Sequence, residues 1–182
     1  MTDTRPEGMP VLDPGMWCPA AEAVPGELES LVADGGAFVE LQSDESTRAG
    51  GSEAGRNFHG VSQQLWSSTD ADAFVETVAD GFEACTGETW EVDEGTTATV
   101  AELDGDDVGD DSTTALVTYV TPGPDGDYAW TGRHLVAHWG ATVMVLQELD
   151  VQLVDSDPFF TDDDWQRIVD TAVDRIDDLG DS

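Results

Sequence analysis

Lysine is absent from this chain. Its 182 residues carry six cationic side chains, all arginine, against 40 aspartates and glutamates, for a formal charge of −34. A field this negative repels phosphate backbones and anionic lipid headgroups, which removes nucleic-acid binding and electrostatic docking on membranes from the candidates. What the chain binds is neutral, cationic or protein. No apolar run approaches the ~18 residues a membrane-spanning helix needs, so no segment reads as transmembrane. The opening residues, Met1 to Pro10, have neither the basic start nor the apolar stretch of a secretory signal. That leaves either a cytosolic protein or one whose targeting segment and membrane anchor have been removed.

Cysteine is nearly absent too. Cys18 and Cys85 form no C-x-x-C, and no histidine lies near either, which argues against a metal or redox motif. The G-x-S-x-G elbow of many serine hydrolases is also missing.

The residues that are present, 39% of them hydrophobic, suffice for one packed core, and the length suits one domain. The acidic residues are 26 Asp and 14 Glu, and Asp favours caps and turns, so much of the charge belongs in loops and at helix ends as a solvated coat. Such a coat is also what a salt-adapted or GC-rich genome produces.

Residues 1–16 are rich in Pro, Gly and acid without apolar period and read as a flexible leader, followed by a single domain over 17–180. A short helical stretch with Leu28, Leu31 and Val32 on one face precedes a short strand at 37–42 and a polar loop at 44–55. Phe58 to Ser67 reads as a strand. The clearest helix spans Asp70 to Ala84, capped by Ser68-Thr69, with Phe74, Val78, Phe82 and Cys85 on its buried stripe and Gly87 as its stop. The period then changes to two. Thr89–Val92, Thr97–Leu103, Thr114–Thr121, Tyr128–Trp139 and Thr142–Val154 read as successive antiparallel strands. Gly140-Ala141 suits a type II′ hairpin that sets Arg133 opposite Glu148. A final helix, Asp162 to Leu179, follows Thr161 as cap, with Trp165, Ile168, Val169, Ala172, Val173 and Ile176 as its apolar face. The order of elements predicts an α+β fold: an antiparallel sheet of about five to seven strands with helices packed on one face and a cleft on the other.

Three groups of residues could carry chemistry. His134 and His138 share a strand face but stand about 13 Å apart at strand rise, too far to chelate one ion without a third element. Asp104 to Asp111 resembles a calcium loop only until the spacing is checked, because Val108 and Ala115 occupy two positions that need oxygen ligands. An acidic turn explains that run. Tyr128, Trp130, His134 and His138 lie on one face by alternation and combine apolar area with hydrogen-bonding heads, as a ligand cleft does. A core aromatic beside a core histidine gives the same pattern.

The segment from Asn57 to Val92 adds a likeness. A strand is followed by a helix opened by Ser68-Thr69-Asp70-Ala71-Asp72-Ala73-Phe74-Val75 and closed by Phe82-Glu83-Ala84-Cys85-Thr86-Gly87. It resembles the PknH-like extracellular sensor domain of actinobacterial kinases and related lipoproteins. Phe82, Cys85 and Gly87 stand where that family has its aromatic, cysteine and glycine, and Cys18 matches an early family cysteine. A second family cysteine pair, in the late strands, has no counterpart here. The resemblance implies a Cys18–Cys85 disulfide, an oxidising compartment, and a non-catalytic module that binds an extracellular small ligand or protein, with no cofactor and no metal. The alternatives are a secreted hydrolase using His134 or His138, and a protein-interaction domain without a small ligand.

Overall fold

The computed structural model describes Cys18, Glu27, Leu28 and Leu31 and residues 58–103, 107–123, 126–154 and 160–180. The expected leader over 1–16, the strand at 37–42 and the loop at 44–55 lie outside the described residues.

The elements in chain order are β1 (Phe58–Ser67), α1 (Ala71–Cys85), β2 (Thr89–Asp93), β3 (Thr96–Glu102), β4 (Asp111–Thr121), β5 (Tyr128–Trp139), β6 (Thr142–Leu153) and α2 (Asp162–Gly180). The strands form one six-stranded antiparallel sheet in the order β1-β6-β5-β4-β3-β2. From β2 to β6 it is a meander, and β1 closes it by pairing with the last strand. Short turns and period-two patterning require that arrangement. The β5–β6 turn is two residues long, with Trp139 opposite Thr142. Gly140 has φ +56, and no non-glycine residue among those described has positive φ, as a type II′ turn demands and a type I′ turn forbids.

Helix α1 begins at Asp70, whose Oδ1 accepts the Ala73 N–H at 3.2 Å. The cap is therefore Asp70, one residue beyond the expected Ser68-Thr69. Ser68 is taken up elsewhere, donating its hydroxyl to the Leu31 carbonyl at 2.8 Å. Helix α2 starts from a reciprocal cap: the Thr161 hydroxyl accepts the Asp164 N–H, and Asp164 Oδ2 accepts the Thr161 N–H. The Thr161 hydroxyl and then its N–H, both donated to Asp164 Oδ2, hold the Asp164 carboxyl below the usual carboxylate range.

Two cores of opposite strand parity lie on the two faces of the sheet. On one, Val136, Val143, Val145, Ala115, Val117 and Val100 meet Phe74, Val75, Val78 and Phe82 of α1. On the other, Leu135, Ala137, Met144, Leu146 and Leu65 meet Trp165, Val169 and Ala172 of α2. The helices therefore pack on opposite faces, which corrects the expectation of helices on one side and a cleft on the other. The physical reason is in β5 and β6. Leu135-Val136-Ala137 and Val143-Met144-Val145-Leu146 are apolar without alternation, so both faces of the central hairpin must be covered.

Cys18 and Cys85 are joined in a disulfide, with Cα atoms 5.8 Å apart and both residues buried. Cys85 ends the α1 stripe with its sulfur inward, and the bond places Cys18 on the α1 core, where Leu28 is also buried and Leu31 packs against it.

Candidate functional site

Tyr128, Trp130, His134 and His138 share the α1 face, as alternation requires, but their surroundings differ. His138 is buried beneath the start of α1. Its Nδ1 lies 3.2 Å from the Gly140 carbonyl and its Nε2 2.9 Å from Asp72 Oδ1, off the line of a good hydrogen bond. Asp110, just before β4, accepts the Gly140 N–H at 2.7 Å and donates its own N–H to the His138 carbonyl at 2.8 Å. That carboxylate clamps the β5–β6 hairpin. Among the described residues no group of three or more histidines, cysteines or carboxylates could hold a metal.

His134 sits two turns of the pleat away. Its Nδ1 faces Gln147 Nε2 at 3.1 Å, and Gln147 Oε1 accepts the Ser62 hydroxyl at 3.3 Å, so one polar line crosses β5, β6 and β1. Gln147 stands between the serine and the histidine, so Ser62 is not activated by the ring. Burial lowers the His134 pKa to about 4, which keeps the ring neutral at physiological pH. Gly132 makes room for it, because a Cβ there would come within 2.9 Å of His134 Nε2. Trp130, at the far end of the strand, is 49% exposed, and Tyr128 beyond it is partly buried.

A groove of about 510 Å³ lies on the other face, between α2 and the β1–β6 edge of the sheet. Val61 and Leu146 from the strands and Ile168 and Ala172 from the helix supply its apolar lining, with Phe160 at one end. Arg167 and Arg175, two of only six cations in the chain, stand along it. The groove is open to solvent, and Gln63, Asp164, Thr171 and the two arginines make half of its lining polar or charged. None of the four residues expected to line a cleft belongs to it.

Beside the packing of Trp165, Val169 and Ala172, two polar contacts fix α2 to the sheet. Toward the C-terminal half, Gln63 Nε2 donates to the Ala172 carbonyl at 3.0 Å. At the N-terminal end, Arg133 Nη2 reaches Asp162 Oδ1 at 2.7 Å, and the guanidinium lies 5.9 Å from the Trp165 ring centroid. Arg133 also faces Glu148, its expected cross-strand partner, with Nε 3.8 Å from Oε2. The Glu148 side chain is 7% exposed, and its Oε2 lacks a hydrogen bond. Burial, opposed by Arg133 and reinforced by Asp150, Asp164 and Asp162, pushes the Glu148 carboxyl up to about 7. The hairpin turn made the Arg133–Glu148 pair legible in sequence. The groove and the Asp162 contact depend on where α2 docks, which no local pattern encodes.

No family model and no curated protein matches the chain. Among solved structures, that of LpqN, involved in cell envelope biogenesis of Mycobacterium tuberculosis, is similar over 79% of this chain and 84% of that one, with 12% identity and a TM-score of 0.34. A likeness this low transfers neither fold nor function.

Proposed function

We propose that this chain is the extracytoplasmic, non-catalytic part of a lipoprotein or membrane-anchored protein, a ligand-binding or sensing module akin to the PknH-like sensor domains. The observation that carries the reading is the Cys18–Cys85 disulfide, which joins the two cysteines of that motif. Such a bond persists where the surroundings are oxidising. The groove beside α2 is the binding face in this reading, since it combines apolar lining with charged heads. His134 and His138 serve the packing of the sheet: one is held neutral beside Gln147, the other lies under α1.

Thiol titration of the unfolded, unreduced protein recovered from its own cells tests the compartment. No reactive thiol is the expected result, and two would overturn the reading. The groove is tested with Nile red, a neutral apolar dye. Its emission should rise with the wild-type protein and not with Ile168→Glu, whereas equal emission from both would remove the groove from the proposal.

A further inference from the structure

We propose that the Arg133–Asp162 contact is a proton-operated latch: loss of the proton held by the Glu148 carboxyl releases the first turns of α2 from the sheet and opens that end of the groove. Arg133 is shared between two acids in opposite environments. Asp162 is 94% exposed, while the Glu148 side chain is 7% exposed, its Oε2 without a hydrogen bond and 3.8 Å from Arg133 Nε. The charged groups facing Glu148 are Arg133 from β5, Asp150 from its own strand, and Asp162 and Asp164 from α2. From β1 the residue opposite is Val61. Three carboxylates thus surround the site, with Arg133 beside Glu148 and Arg167 paired to Asp164, and a fourth negative charge there repels the two carboxylates that α2 brings.

Lifting the first turns of α2 lets water reach Glu148 and moves Asp162 and Asp164 away, so the lifted form holds that proton less tightly than the docked form. By linkage, the form that binds the proton more tightly gains population as pH falls and loses it as pH rises. Burial sets the docked carboxyl near 7, against an ordinary 4.5 once hydrated, so the window lies between those values. The other anchor, Gln63 to Ala172, contains no titrating group and keeps the C-terminal half in place. Phe160, Asp164 and Arg167 lie at the end that moves, so the groove widens there. The latch stands whether or not the groove takes a ligand.

Amide hydrogen exchange of the full chain, corrected for the pH dependence of the chemical step, reads the opening directly. Between pH 5 and pH 8 the opening equilibrium over residues 162–170 should rise roughly 100-fold in wild type and stay flat in Glu148→Gln, which mimics the protonated carboxyl. Asp162→Asn should raise opening already at pH 5, because the exposed anchor is weakened. An equal rise in Glu148→Gln, a flat wild type, or an unchanged Asp162→Asn each overturns the latch. So does a parallel rise at residues 172–176, since that marks unfolding of the whole helix.

Discussion

Two groups on opposite faces of the sheet titrate in opposite senses, and removing either reveals the other. His134 is neutral in the folded chain down to about pH 4, against 6.5 for the free side chain. Below 6.5 the unfolded chain therefore binds a proton that the folded chain refuses, and stability falls as pH drops from 6.5 to 4. Glu148 behaves in the opposite sense. Its carboxyl stays protonated up to about 7 when folded but ionises near 4.5 when unfolded, so stability falls as pH rises from 4.5 to 7. Each displacement corresponds to about 3 kcal/mol, at ~1.36 kcal/mol for each tenfold change in proton affinity. Between pH 4.5 and 6.5 the two slopes are equal and opposite and cancel. Glu148→Gln abolishes one of them. Urea unfolding of wild type and variant at half-unit intervals from pH 4 to 8 gives a difference curve from which the common titration of the surface carboxylates drops out. The variant should gain about 3 kcal/mol relative to wild type between pH 4.5 and 7 and then level off, while His134→Gln should gain on wild type by a similar amount as pH falls from 6.5 to 4. A flat difference curve, or a gain for Glu148→Gln on the acid side, would show that Glu148 is solvated and refute the burial argument.

Removing the disulfide with Cys18→Ser and Cys85→Ser together releases a closure spanning 67 residues of sequence separation, and the chain-entropy relation puts the loss at about 4 kcal/mol, read as a lower urea midpoint. Melting temperature should climb from low salt to 1 M sodium chloride, where the Debye length is about 3 Å, because a net charge of −34 repels itself; an unchanged temperature would contradict that. Leu135→Ala removes a fully buried side chain between β5 and α2 and should cost about 2–5 kcal/mol by chemical denaturation, with α2 the first element to lose amide protection.

Period and caps made the elements legible. β1, β5 and the start of α2 fall where alternation, the Gly140 turn and Thr161 place them, and the buried stripe of α1 reads from Phe74 to Cys85. That both faces of the sheet are covered is written in the unbroken apolar runs of β5 and β6, whereas the order of elements alone points to helices on one face. Ser68 and Asp70 competed for the same cap, and the contest was decided by Leu31, a long-range partner of Ser68. The same holds at the site. Arg133 and Glu148 are neighbours through a local turn, whereas Asp162, Trp165 and the groove are joined to them only by the return of α2 across the sheet. Tyr128, Trp130, His134 and His138 do share a face, yet α1 covers one end of it, a fact that resides in the Asp72 contact rather than in β5.

The pairing of the first described strand with the last sets an order of assembly. Ser62 meets Gln147 across 85 residues, while every other strand pair joins neighbours in the chain. The β2–β6 meander can zip up through successive short loops, but β1 has no place in the sheet until β6 exists, and closing that long loop has an entropic cost that the hairpins avoid. In refolding with the disulfide intact, pulse-labelled amides of β5 and β6 should become protected before those of β1, which makes the closing strand the slow step and its edge the surface most exposed to wrong partners while the chain waits.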